Sequence, residues 1–94
     1  MAEGERRCVR ARISGRVQGV GFRAFVIGLG KDLGLSGWIS NQPHGEVEVL
    51  LEGGRAEVGL AIEAVWRGPL LARVDNVTIE EISPQGLDGP VRVR

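Results

Sequence analysis

One cysteine, one histidine, two phenylalanines, two tryptophans and no tyrosine are spread over 94 residues, and Lys31 is the single lysine. Each scarcity removes a class of protein. Cys8 alone forms no internal disulfide, which suits a reducing compartment. With one histidine and one cysteine there is no run of metal-ligand spacing, so metal-independent chemistry without a cofactor is expected. No apolar stretch approaches the roughly 18 residues that span a bilayer. The start, MAEGERR, is charged and lacks the apolar segment of a secretion signal. A cytoplasmic, non-membrane protein is therefore expected. The two tryptophans, Trp38 and Trp66, make no stacking platform and read as packing residues.

What is present is ordinary for a folded chain: 43% hydrophobic and 26% charged residues, too apolar for disorder. The length is that of one small domain, 1–94, with residues 1–6 as a short extension. Net charge is zero, yet unevenly placed. Residues 1–23 carry six arginines against Glu3 and Glu5, while the remainder carries a matching excess of acid. That basic end favours an anionic ligand, with Arg6, Arg10 and Arg12 expected to face solvent from one side of a strand.

The periodicities are clear. CVRARI alternates and reads as a half-buried strand. Phe22, Phe25, Val26, Leu29 and Leu33 recur at helical spacing, predicting a helix over 22–33 that Gly34 stops; Gly28 and Gly30 inside it suggest close approach to a sheet. SGWIS is a short strand, NQPHG a hairpin turn, and EVEVLLE a second amphipathic strand whose Glu46, Glu48 and Glu52 form a solvated row. Gly53 and Gly54 are expected to break it. A helix over 55–67 ends at Gly68-Pro69. ARVDNVTIEEI is a strand, and VRVR adds a short edge strand. The order βαββαβ plus a short strand predicts an α+β, ferredoxin-like split βαβ sandwich, with two helices on one face of a mainly antiparallel sheet. That fold hosts many functions, so the site must decide.

The stretch GRVQGVGFRAF, from Gly15 to Phe25, is the candidate. It follows a strand and opens a helix, where unpaired N–H groups and the positive end of the helix dipole attract a phosphate. Glycines let backbone N–H groups converge. Two known phosphate motifs fail. Gly19-x-Gly21-x-x-Ala24 lacks the acidic residue a dinucleotide site needs after the second strand, where Asn41 stands; a P-loop needs Gly-Lys-Ser/Thr. Arg23 at the helix start opposes the dipole unless an anion is bound, and its planar fork suits phosphate oxygens.

The blocks GRVQGVGFRAFV, LGLSGWISNQPHGEVEVLLEG and RGPLLARVDNV closely resemble the acylphosphatase family, over nearly the whole chain from about Arg7. The resemblance implies hydrolysis of acyl phosphates to a carboxylate and inorganic phosphate. It implies Arg23 and Asn41 as catalytic side chains and a phosphate-binding loop made of Arg16, Val17, Gln18, Gly19, Val20, Gly21 and Phe22. It also implies that a substrate phosphoryl oxygen takes the proton of the attacking water. Ser40 and His44 depart from common members, which carry Arg and Asp there, and bear on substrate preference. His44 reads as a solvated turn residue and Cys8 as packing. Expected partners are the acyl phosphate and inorganic phosphate as product and inhibitor, with a monomer and no nucleic acid. A non-catalytic module binding phosphate or carbamoyl phosphate beside a partner protein is the alternative. RNA binding needs aromatics on the sheet, whereas Phe22 and Phe25 belong to the helix.

Overall fold

A computed structural model describes residues 5–94. The elements are β1 (Arg6–Arg16), α1 (Phe22–Leu33), β2 (Ser36–Asn41), β3 (Val47–Gly54), α2 (Arg55–Arg67), β4 (Arg73–Ile82) and β5 (Val91–Val93). They build one five-stranded sheet in the order β4-β1-β3-β2-β5. All pairings are antiparallel except β2 with β5, which is parallel. This is the expected α+β, ferredoxin-like fold, with β5 as the expected edge strand. Of the expected extension 1–6, residues 1–4 lie outside the described residues, and Arg6 already belongs to β1.

Alternation in β1 and β3 sends Val9, Ala11, Ile13, Val47, Val49 and Leu51 to the helix-covered face, where all are buried. Phe22 and Val26 of α1 and Val58, Ala61 and Val65 of α2 close this core from above. A fully buried side chain of this size contributes about 1.5–3 kcal/mol by leaving water. Gly30 supplies the expected close approach, since a Cβ there would stand 2.5 Å from Val91 Cγ2; Gly28 has open space and serves no such role.

Two expectations fail on β3. Gly53 and Gly54 continue the strand, opposite Arg7 and Arg6, instead of breaking it. Gly53 is needed for packing, because a Cβ there would meet Leu35 Cδ2 at 2.5 Å. Glu52 is not solvated: it is 1% exposed. It lies on the far face of the sheet, directly opposite Cys8. The segment 83–90 carries the chain from β4 on one edge to β5 on the other. It closes over Glu52, whose carboxylate accepts hydrogen bonds from the Gln85 and Gly86 N–H groups and from Arg6 Nη2, at 2.7–2.9 Å. Ser36 Oγ donates to the Gly89 carbonyl and fastens the other end. Burial alone would push the Glu52 carboxyl up, but these hydrogen bonds and the Arg6 charge outweigh it and hold the carboxyl below its usual range. Cys8, buried beside it, is pushed up to about 11 by burial and by the Glu52 charge. Its thiol is an inert packing group.

Candidate active site

Glycine geometry creates the loop between β1 and α1. The β1–β4 register shifts at Ser14/Gly15, a bulge that redirects the chain as it leaves the sheet. Gly15 there has φ +124° and lies against the Arg73 carbonyl, where a Cβ would collide with it. At the loop's end Gly21 caps α1 in the left-handed region, φ 83° and ψ 17°, and provides no side chain to satisfy the first turn. That turn also holds no acidic residue. The other helix differs, with Glu57 in its first turn. The start of α1 is therefore left with N–H groups and dipole charge facing outward.

Side chains in the loop face several ways. Val17 is 1% exposed and anchored in the core, Val20 packs against that core, and Phe22 is buried as the first residue of α1. Phe22 and Phe25 meet edge to face at 5.8 Å, inside the helix layer. Gln18 reaches out of the loop, its Nε2 donating to the carbonyls of Gln42 and Glu46, both at 2.8 Å. Those carbonyls belong to the β2–β3 hairpin, whose own closure runs through Gln42 N–H to Glu46 O. Gln18 thus ties the loop to the hairpin that carries Asn41. Sequence reasoning missed this brace; its single hint was a long amide among glycines and valines.

A cavity of about 330 Å³ opens at this junction, lined by Val17, Gly19, Gly21, Phe22, Arg23, Ala24, Ile27 and Asn41. Its size is at the lower end for small-molecule sites, ~300–1,000 Å³. Arg23 and Asn41, 18 positions apart in sequence, are brought to one cleft. Arg16, Gln18 and Val20 belong to the loop without lining the cleft. Ala24 and Ile27 do line it; their spacing on α1, three apart beside Arg23, is the signal that could have found them. His44 is exposed at the hairpin tip, outside the cleft.

Charge is distributed in the same sense. Arg6 pairs with Glu52, Arg7 with Glu81, Arg10 with Glu48 and Glu80, and Arg12 with Glu46 and Glu48. So Arg6, Arg10 and Arg12 are half exposed, as expected, but tied to carboxylates across the sheet. Among the described residues, Arg16 and Arg23 have no carboxylate within 4.0 Å. The excess positive charge of the basic end is thereby left at the loop. Such an arrangement suits a small, multiply charged oxyanion.

The acylphosphatase family profile matches residues 9–89. An acylphosphatase of Anaeromyxobacter dehalogenans is 48% identical over 88 residues, spanning 92% of this chain and 95% of that protein. The structure of an acylphosphatase from Coxiella burnetii superposes with a TM-score of 0.92 at 38% identity, covering 100% of this chain and 98% of that one. The acylphosphatase from Bacillus subtilis gives 0.89 at 34% identity, covering 94% and 98%. The profile takes in the loop, Arg23, Asn41 and both helices, and the superpositions extend the likeness to the whole sheet: the chain belongs to the acylphosphatase family.

Proposed function

We propose that this protein hydrolyses acyl phosphates to a carboxylate and inorganic phosphate, using Arg23, Asn41 and the backbone of the 16–22 loop. The observation that carries this reading is the cleft itself. An arginine with no carboxylate partner among the described residues and a neutral amide converge at a glycine-turned helix start that has neither acid nor side-chain cap.

An acyl phosphate already contains a good leaving group, so positioning and charge stabilisation supply most of the rate. Loop N–H groups and the Arg23 guanidinium hold the non-bridging phosphoryl oxygens and the charge that grows on them. The Asn41 amide hydrogen-bonds the attacking water, its oxygen accepting one of the water's protons, and so aims the water's oxygen at phosphorus. A carboxylate at this position would repel the phosphate; an amide does not. As the water oxygen bonds to phosphorus, the bond from phosphorus to the acyl oxygen breaks, and its electron pair leaves on the carboxylate. The water's proton passes to a phosphoryl oxygen of the substrate, so no side-chain base is required. Gln18 contributes by fixing the distance between the loop and the Asn41 hairpin.

The test is phosphate release from acetyl phosphate and benzoyl phosphate by purified protein, with a simple phosphate monoester as control and EDTA present in a parallel series. Turnover of both anhydrides, with neither dependence on a divalent ion nor attack on the monoester, is expected. Protein that binds phosphate but turns over neither anhydride would instead be a binding module for phosphate or carbamoyl phosphate. Activity lost with EDTA and restored by a metal ion would contradict the proposed chemistry.

A further inference from the structure

The site as described accounts for the phosphate and the water but leaves the acyl group without a place. We propose that the turn between α2 and β4 receives it, with Leu70 and Leu71 as the residues that select an apolar acyl group. This rests on the in-line reaction proposed above.

The inference comes from sheet order. Ile13, Val47, Asn41 and Val77 lie in one row at the end of the sheet from which the loop leaves β1. From that row, β3 and β2 extend to one side of β1, and β2 ends in Asn41. β4 lies on the other side, with its first residue, Arg73, paired to Arg16. The loop is thus flanked by Asn41 on one side and by the turn leading into β4 on the other. In an in-line displacement the attacking and leaving oxygens stand on opposite sides of phosphorus. Water held at Asn41 therefore sends the leaving carboxylate, and the acyl chain attached to it, toward the β4 side.

What waits there is apolar. Leu70 is 97% exposed and Leu71 72% exposed, the two most exposed large hydrophobic residues among those described. Their turn is fixed rather than loose. Gly68 N–H donates to the Ala64 carbonyl at 2.9 Å and Ala72 N–H to the Pro69 carbonyl at 3.0 Å. Gly68 also packs beside the Phe22 ring at the start of α1, since a Cβ there would stand 3.4 Å from Phe22 Cε2. The turn is therefore joined to the first residue of the helix that carries Arg23. Adjacent leucines held in water on a turn joined to the start of α1 mark a surface that gains by covering an apolar group. The substrate class they favour is an acyl phosphate with an aromatic or branched aliphatic acyl group, over one with a methyl group.

The experiment compares kcat/KM for benzoyl phosphate and acetyl phosphate in the parent, Leu70→Ser, Leu71→Ser, the double Leu→Ser variant and Ile27→Thr, which alters the lining of the cleft itself. Contacts of this kind are worth about tenfold in discrimination. The benzoyl-to-acetyl ratio should fall about tenfold in the double variant and part of the way in each single one. Inhibition by inorganic phosphate should stay unchanged, as the loop is untouched. The exposed positions leave folding intact, which thermal unfolding checks. An unchanged ratio in the folded double variant overturns the proposal, as does a ratio that responds to Ile27→Thr instead. A parent that turns over neither anhydride would remove the hydrolase reading itself, an outcome separate from a ratio that fails to move.

Discussion

Replacing Gln18 with methionine tests whether loop and hairpin must be held together. Methionine keeps the length of the side chain and removes both donated bonds, each 2.8 Å in the structure. A hydrogen bond contributes about 0.5–1.5 kcal/mol net. Neither carbonyl is orphaned, because Gln42 O still accepts from Gly45 N–H and Glu46 O from Gln42 N–H. The loss is therefore at the lower end for two bonds, about 1–2 kcal/mol. For a chain of this length that lowers Tm by about 5–15 °C. The catalytic effect should be larger than this modest loss suggests. A displacement of about 1 Å between phosphate and water costs up to a hundredfold in rate. Gln18→Glu should be worse than methionine, since a carboxylate facing two carbonyls repels both. The assay is kcat on acetyl phosphate in Gln18→Met, Asn41→Ala and the double variant. If Gln18 works by placing Asn41, its substitution should cost little once Asn41 is absent. Equal fold-losses in both backgrounds would refute the positioning role.

Arg23→Lys should lose nearly as much kcat/KM as Arg23→Ala, because an ammonium does not reproduce the two-pronged contact; near-parental efficiency in the lysine variant would remove that contact from the mechanism. For Glu52, the folded carboxyl is held below the ordinary value near 4.5. The unfolded chain therefore binds the proton more tightly, and the stability due to Glu52 is present above pH ~4.5 and lost as pH falls through the lower folded value. Glu52→Gln keeps one acceptor for two N–H groups and should cost about 2–3 kcal/mol at neutral pH. The gap to the parent should narrow in acid, as thermal melts across pH would show; a gap independent of pH would mean the carboxylate charge is not what holds the segment.

Much of the fold could be read from periodicity, because both helices present a regular apolar stripe and end at Gly34 and Gly68. Alternation located the core face of β1 and β3 equally well. The failures share a cause. Glu52 sits where alternation predicts a wet face, and what covers it is a segment of irregular backbone, 83–90, with no period to read. Gly53 looks like a break because its reason for being small lies in Leu35, a residue distant in sequence. The site was visible in part. The glycine loop and Arg23 stand out by local chemistry alone, and Asn41 through the family resemblance. Gln18 was placed in the loop without its role, since the carbonyls it holds lie 24 and 28 positions further along the chain, beyond α1 in sequence.

In the proposed mechanism Arg23 and the loop hold phosphate while Asn41 acts on the water. The direct test is calorimetric binding of inorganic phosphate to folded Asn41→Ala protein, measured beside its turnover. Loss of one transition-state hydrogen-bonding group predicts a kcat lower by about 10²–10³. Phosphate affinity should remain close to the parent's, whereas Arg23→Ala should lose both. Phosphate affinity that falls in step with kcat in Asn41→Ala would make Asn41 a binding residue and contradict the account.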